Sequence, residues 1–446
     1  MRVVIAGAGE IGWYIAQQLS LQGHDVTVIE QDETRVRQVE SELDVQVLHG
    51  RAAAAVTLAQ SGVAEADLLI AATGSDETNL VCASIGGSLG AARTVARVDE
   101  VIYRKASEIS YRRHFGVDEL VSPEMLAALE LASRVRNPGS LAVEHFAQGR
   151  LEMQQLVADR GAKAVGKPLH TLTLPKGVRV ASIHRDEQVI IPGAQDTVEH
   201  GDLITIVGQT EAVAKARPHF EATSPGSRKV VIMGGGHTTM SLARRLRSQT
   251  VRLTIIERDP NRCRVLAAQL PAATVLNGDG TNLSFLKEER IENADFFIST
   301  TGSDEANIMG AMQAKSLGVG EVLVVIHRPD YADLMKKMGI DRAVSPRVVI
   351  AREMLTLLQQ GNVSTLASLE NGRAEILRLS VEGEDFVGRR LRDIDLPVGC
   401  LVLTLQRERE TLVPQAETVF QLEDIILVIC RDDQRKKIIR LVVGQG

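Results

Sequence analysis

Apolar positions along the first hundred residues fall into short runs separated by stretches with a helical repeat. Val3 to Ala6 is a strand-length apolar run and Gly7-Ala8-Gly9-Glu10-Ile11-Gly12 a glycine-rich turn. Ile11 to Leu21 is amphipathic at helical spacing, and Asp25 to Glu30 is a second strand. Strand, turn, helix and strand in that order make a βαβ unit. Further strands are predicted at Val45–Leu48, Leu68–Ala71 and Thr94–Arg97, with helices over Ala53–Ser61 and Asn79–Leu89. Such alternation builds a doubly wound parallel sheet. The segment VSPEMLAALELASRV predicts a helix from Pro123, and the pattern changes near Asn137-Pro138-Gly139. LEMQQLVA at Leu151, VRVASIHR at Val178, EQVIIP at Glu187 and DLITIVG at Asp202 then read as short alternating strands punctuated by Pro175, Pro192 and Gly201. They form a small α+β module.

The whole pattern occurs twice. VVIAGAGEIGWYIAQQL at Val3 returns as VVIMGGGHTTMSLARRL at Val230, and TGSDETN at Thr73 returns as TGSDEAN at Thr301. The offset stays near 227 residues and becomes 222 for LTLP at Leu172 against IDLP at Ile394, so entire halves repeat. The second copy predicts strands at Thr254–Glu257, Thr274–Leu276, Phe296–Ser299 and Val322–Ile326, and a strand-rich end from about Glu375. A Ser-Pro-Gly linker, Thr223 to Ser227, separates the halves. The fold class expected is α/β: two Rossmann-like doubly wound domains, 1–122 and 228–346, alternating with two small α+β domains, 140–222 and 366–446.

Composition narrows the function. Aromatics are 3% of the chain and the formal charge is -6, which argues against base-stacking platforms and a general attraction to nucleic acid. Cys82, Cys263, Cys400 and Cys430 lack C-x-x-C spacing and read as structural thiols of a reducing compartment. The N-terminal MRVVIAGAGEIG resembles neither a secretory nor a transit peptide, and no apolar run reaches membrane-spanning length. A cytoplasmic chain, at most peripheral to a membrane, is expected.

In a dinucleotide fold the first glycine makes the turn, the second admits the pyrophosphate, and the third lets helix and strand approach. Gly7, Gly9 and Gly12 meet this pattern, with the amides of Ala8, Glu10 and Ile11 opening the helix. Glu30, at the end of the second strand, is placed for the ribose hydroxyls, and with Asp32 and Glu33 nearby it favours NAD(H) or an adenine mononucleotide over a 2′-phosphate. The second copy offers Gly234, Gly235, Gly236, His237 and Thr238 with Glu257, but Thr239 replaces the third glycine and Arg258 follows the acid. Thr73 and Gly74, and likewise Thr301 and Gly302, follow the fourth strand and face the same crevice. Ser75 is also suited to cap the next helix, with Asp76 and Glu77 in its first turn. Arg97 and Arg328 sit at what read as matching strand ends, available to phosphate or to solvent. Asp279 in GDGT stands where the first copy has Arg51: either the two sites differ in ligand or a surface loop has drifted. No catalytic histidine or carboxylate pair recurs in both halves.

GAGEIG with Glu30, TGSDETN, ARVDE, then GGGHTT with Glu257, GDGTN and TGSDEAN resemble the TrkA family of Trk potassium-uptake regulators over essentially the whole chain. The resemblance implies tandem RCK (KTN) domains, each followed by a TrkA-C module, that bind NAD(H) and, in some members, ATP or ADP. It further implies a ring, commonly a homotetramer, on the cytoplasmic face of a TrkH- or TrkG-type potassium channel subunit, and no enzymatic activity. By position it assigns Gly7 to Ile11, Glu30, Thr73, Gly74 and Arg97 to a first site, and Gly234 to Thr238, Glu257, Asp279 and Arg328 to a second. An NAD-dependent oxidoreductase with two Rossmann domains is the competing expectation, and a nucleotide sensor with a non-channel partner a third.

Overall fold

A computed structural model describes the chain except residues 105–108, 137–141, 147–150, 187, 222–226, 248–249, 329–330, 359–361, 370–372, 408–409 and 445–446. The expected break at Asn137-Pro138-Gly139 and most of the Thr223–Ser227 linker lie outside the described residues. Two compact units result: Met1–Val135 with Gly226–Leu358, and Arg136–Pro225 with Gln359–Gly446.

The first unit contains both Rossmann copies. Strands β1 (Arg2–Ala6), β2 (Asp25–Glu30), β3 (Gln46–His49), β4 (Leu68–Ala71), β5 (Thr94–Arg97) and β6 (Glu119–Val121) form a parallel sheet ordered β3-β2-β1-β4-β5-β6. Val3, Val4, Ile5 and Ala6 are all buried, because the strand is covered on both faces. Val3 and Ile5 point to one layer, and Val4 and Ala6 to the other. Helix α1 (Glu10–Leu21) buries Ile11, Ile15, Ala16 and Leu19 on the first layer.

In the other unit, β7 (Ala142–Phe146), β8 (Leu151–Val157), β9 (Val178–Arg185), β10 (Gln188–Ile190) and β11 (Leu203–Gln209) make an antiparallel sheet ordered β10-β9-β11-β8-β7. The second Rossmann copy, β12 (Arg228–Met233), β13 (Val251–Glu257), β14 (Thr274–Asn277), β15 (Phe296–Ser299), β16 (Glu321–Val325) and β17 (Arg342–Val344), repeats the first sheet's order. Its partner module is the antiparallel sheet of β18 (Val363–Leu369), β19 (Ala374–Ser380), β20 (Cys400–Arg407), β21 (Glu410–Leu412) and β22 (Ile425–Arg431), ordered β18-β19-β22-β20-β21. β18 begins this sheet ahead of the position at which the alternation becomes readable. No described helix is long and apolar enough to cross a membrane.

The 222-residue offset reappears as chemistry in the small modules. Arg185 donates to both carboxylate oxygens of buried Asp202 at 2.8 Å, and Arg407 does the same to Asp424 at 2.8 and 2.7 Å. Asp202 and Asp424 further accept the amides of Glu199 and Gln421, so each buried carboxylate is fully partnered.

The two Rossmann copies exchange a helix. Helix α2 (Pro123–Arg136) leaves the first sheet and packs Ala127, Ala128, Leu131, Ala132 and Val135 against Val230, Ile232, Leu242, Phe296 and Ile298 of the second. Helix α3 (Pro346–Leu358) returns Ile350, Ala351, Met354, Leu357 and Leu358 to Val3, Ile5, Ile15 and Leu19 of the first. Ion pairs Arg134–Glu321 and Arg342–Glu130 fasten the exchange at 2.8 and 2.5 Å.

Candidate nucleotide sites

Each copy presents a crevice at the carboxyl ends of its strands. Gly7 has φ +102°, a region that side chains resist, and a Cβ there would meet the Thr73 backbone at 3.0 Å. A Cβ on Gly12 would stand 1.9 Å from the Gly7 carbonyl oxygen, so α1 touches the turn itself. Gly9 differs: the nearest atom is Arg35 Nη1 at 3.7 Å. Packing therefore does not demand a glycine at position 9, and the open space lies at the start of α1, where a pyrophosphate would approach.

Glu30 is buried, with Oε2 accepting the Ala8 amide at 2.6 Å and Oε1 accepting those of Gln31 and Asp32 at 2.8 and 2.9 Å. It thus fixes the glycine turn as well as ending β2. Thr73 and Gly74 are held by a residue that the motif reading passes over. Asn79, wholly buried, accepts the Thr73 amide and hydroxyl through Oδ1 at 2.8 and 2.7 Å, and its Nδ2 donates to the Thr73 and Arg97 carbonyls at 3.1 and 3.0 Å. Asn307 makes the same four bonds around Thr301, with Val325 in place of Arg97. Ser75 and Ser303 cap their helices, as expected. The acids after them do more than meet a helix dipole: Asp76 accepts the amides of Asp99 and Glu100, and Asp304 those of His327 and Arg328.

This register corrects one expectation. Asp99 matches His327 and Glu100 matches Arg328, so Arg97 corresponds to Val325 and not to Arg328. Both arginines precede an X-Asp pair in sequence, and that likeness suggests the wrong alignment. Arg97 pairs with Asp99 at 2.6 Å, whereas Arg328 lies over the Tyr331 ring at 4.6 Å.

In the second crevice Gly234 repeats φ +102°, Gly236 is open, and Glu257 accepts the Gly235 amide at 2.7 Å and that of Asp259 at 2.8 Å. A Cβ on Gly235 would fall 2.6 Å from the Leu266 side-chain tip and 2.8 Å from Glu257 Oε2, so those side chains would have to shift to admit one. Arg262 Nε donates to the Gly235 carbonyl at 2.6 Å. Thr239 does not disrupt the turn: its hydroxyl bonds the Gly234 carbonyl at 2.5 Å and Thr300 Oγ1 at 2.7 Å. His237 is exposed and Thr238 buried at the start of helix α4 (His237–Arg245). Asp279 accepts the Thr281 amide and hydroxyl at 2.9 and 2.7 Å, which hold its carboxyl below the usual range. Burial alone would raise Asp304, but the amide and ring of His327 and the Arg328 amide outweigh it and keep its carboxyl low.

Between the two copies lies a cavity of about 180 Å³ lined by Glu10, Ile11, Arg97, Glu124, His327, Pro346 and Arg347. Arg347 on α3 pairs with Glu10 at 2.5 Å, so the exchanged helix reaches the start of the first glycine-loop helix. Burial, reinforced by Asp99, pushes the Glu124 carboxyl up to about 7, against the opposing pull of Arg97. A pKa raised on folding means a contribution intact below the unfolded value, ordinarily about 4.3, and lost as pH rises through about 7. Glu124→Gln is therefore expected to match the parent at about pH 4.5 and to exceed its stability above about pH 7, by on the order of 1 kcal/mol. Melting temperatures across that range check it; a constant difference at every pH would contradict it.

Sequence comparisons agree with this architecture. The TrkA-N domain matches residues 3–123 and 230–346, and the TrkA-C domain residues 153–221 and 376–443. A Trk system potassium uptake protein TrkA homolog of Archaeoglobus fulgidus is 34% identical over 438 residues, spanning 98% of this chain and 99% of its own. Among solved structures, the GsuK channel bound to NAD aligns with TM-score 0.61 at 20% identity, covering 99% of this chain and 79% of that one. GsuK bound to ADP aligns with TM-score 0.51 at 17% identity, covering 80% and 69%. With two TrkA-N and two TrkA-C domains in alternation and a full-length relative of that kind, the chain belongs to the TrkA family of Trk system potassium uptake proteins.

Proposed function

We propose that this chain is the nucleotide-reading regulatory subunit of a Trk-type potassium uptake system and not an enzyme. NAD(H), ATP or ADP occupies the crevices at Gly9 and Gly236, and the chain assembles as a ring, a homotetramer, on the cytoplasmic face of a TrkH- or TrkG-type channel subunit. The observation that carries this reading is the helix exchange between two unlike nucleotide crevices. Because α3 closes the first sheet and α2 the second, a ligand that shifts one crevice loads a helix belonging to the other copy. Only a ligand with different affinity for two ring shapes moves their populations. Taking a gate from 1:99 to 99:1 needs about 5.5 kcal/mol, or roughly 1.4 per subunit if four share it. Family membership and the nucleotide-bound fold relatives support the same assignment.

The test is Gly9→Val. Within 4 Å only a flexible arginine tip approaches a Cβ at that position, so the variant is expected to fold with at most a small drop in melting temperature, from a less favourable helix N-cap, while losing nucleotide at the first crevice. Potassium flux through the co-purified channel should then lose part of its nucleotide response. Unaltered titration of labelled NADH and ADP in a folded variant would overturn the site. Nicotinamide oxidation on a metabolite screen would favour the oxidoreductase instead.

A further inference from the structure

Two of the four cysteines, 30 residues apart in sequence, face each other in the second small module. Cys400 opens β20 and Cys430 lies near the end of β22, and the antiparallel register makes them direct partners. Their pairing type follows from the neighbouring bonds. The Arg431 amide donates to the Gly399 carbonyl at 3.0 Å, and the Cys400 amide turns away to the Pro397 carbonyl at 3.0 Å. Residues 400 and 430 therefore form a non-hydrogen-bonded pair, the arrangement in which Cα atoms are about 4.5 Å apart and side chains are closest. That spacing falls at the short end of the range a disulfide spans, about 4.4 to 6.8 Å.

The surroundings give the two thiols different roles. Both belong to the core face packed against Ile438 and Val442 of the C-terminal helix α5 (Arg435–Val443). Cys430 is wholly buried, whereas Cys400 is half-buried at the end of the strand. The Cys430 thiol beside it lowers the Cys400 pKa, with Arg431 and Lys437 adding to the effect against burial and Asp433. Cys430 is correspondingly pushed up by its Cys400 neighbour and by burial. A reachable sulfur with thiolate character beside a shielded thiol is the pairing of an attacked and a resolving cysteine.

We propose that Cys400 and Cys430 are a reversible redox modification site, at which a hydroperoxide oxidises Cys400 and Cys430 closes a cross-strand disulfide. The Cys400 thiolate attacks the peroxide, the O–O bond breaks, and Cys400 becomes a sulfenic acid while hydroxide or alkoxide leaves and takes up a proton. Cys430 sulfur then attacks the sulfenic sulfur; the S–S bond forms, the S–O bond breaks, and water departs with the Cys430 proton. Two thiols lose two electrons and one hydroperoxide gains them. A small thiol reverses the bond through a mixed disulfide. The site lies in a module separate from the glycine crevices and does not depend on their occupancy.

The full chain is treated with hydrogen peroxide, quenched, alkylated under denaturing conditions and mapped by mass spectrometry. A peptide linking Cys400 to Cys430, lighter by two hydrogens and released by dithiothreitol, is expected to form at least about tenfold faster than oxidation of Cys82, whose thiol burial pushes up to about 12. Cys400→Ser should abolish the link and leave Cys430 reduced. Cys430→Ser should leave a Cys400 sulfenic acid that dimedone captures. Folding of each variant is checked by its circular dichroism. Recovery of both cysteines as free thiols, or of Cys400 sulfinic acid without the linked peptide, would overturn the proposal.

Discussion

Gly12→Ala is expected to be among the most damaging single methyl additions to the chain, destabilising it by about 3 kcal/mol and removing nucleotide binding at the first crevice. The new Cβ would lie 1.9 Å from the Gly7 carbonyl oxygen and 3.0 Å from its carbon, both main-chain atoms with no rotamer to yield. Gly7 cannot retreat, since its turn is held by Thr73 behind it and by a hydrogen bond from the Gly7 amide to the Ile29 carbonyl. Relief must come from lifting α1, which uncovers Ile11 and Ile15 and moves the helix amides away from the phosphate position. The second copy supplies the control. Thr239 occupies the equivalent place and bonds the Gly234 carbonyl and Thr300, so α4 already stands off far enough to admit a side chain. Thr239→Gly should cost less, about 1 to 2 kcal/mol, from two lost hydrogen bonds and a glycine in a helix. Calorimetric melting with nucleotide titration of both variants separates the cases. A milder effect for Gly12→Ala than for Thr239→Gly would show that the first helix gives way freely.

The contrast between these two positions also marks how far the residues alone disclose the fold. Glycine spacing, apolar runs and the acid after the second strand are local signals, set within about thirty residues, and the two parallel sheets follow from them. The repeat extends the reading to the whole chain, since Thr73 and Thr301 occur in the same context. Asn79 and Asn307 stand in the same two heptapeptides, six residues after the threonine in both. Their role is not legible there, because it depends on a carbonyl from a strand 18 residues further on. Arg97 and Arg328 align on a shared Asp two residues later, yet strand pairing sets them three residues apart. Cys400 and Cys430 illustrate the same limit: β-register, not sequence spacing, makes them neighbours. The helix from Pro123 is legible as a helix. Its apolar face says only that it must be covered, and two similar sheets offer the same kind of cover.

That exchange leads to the other large effect. Residues 1–225 produced alone are expected to fail as a monomer, although they hold a complete run of strands for one Rossmann sheet. Removing α3 strips Ile350, Met354, Leu357 and Leu358 from Val3, Ile5, Ile15 and Leu19, and α2 loses its seat on Ile232, Phe296 and Ile298. One vacant groove and one uncovered helix on the same fragment are mutually complementary, so two fragments satisfy each other by swapping α2. Light scattering after size exclusion should report a dimer or larger species, and co-expression with residues 226–446 should restore a one-to-one complex. A stable monodisperse monomer would contradict the packing. The milder form of the same test is Met354→Ala, a fully buried side chain whose truncation is expected to cost about 2 to 5 kcal/mol. Met354 belongs to the second half of the sequence but rests on the first sheet. Hydrogen exchange in that variant should therefore rise in β1 and α1 before it rises in β12 and α4, and the first crevice should lose nucleotide affinity before the second.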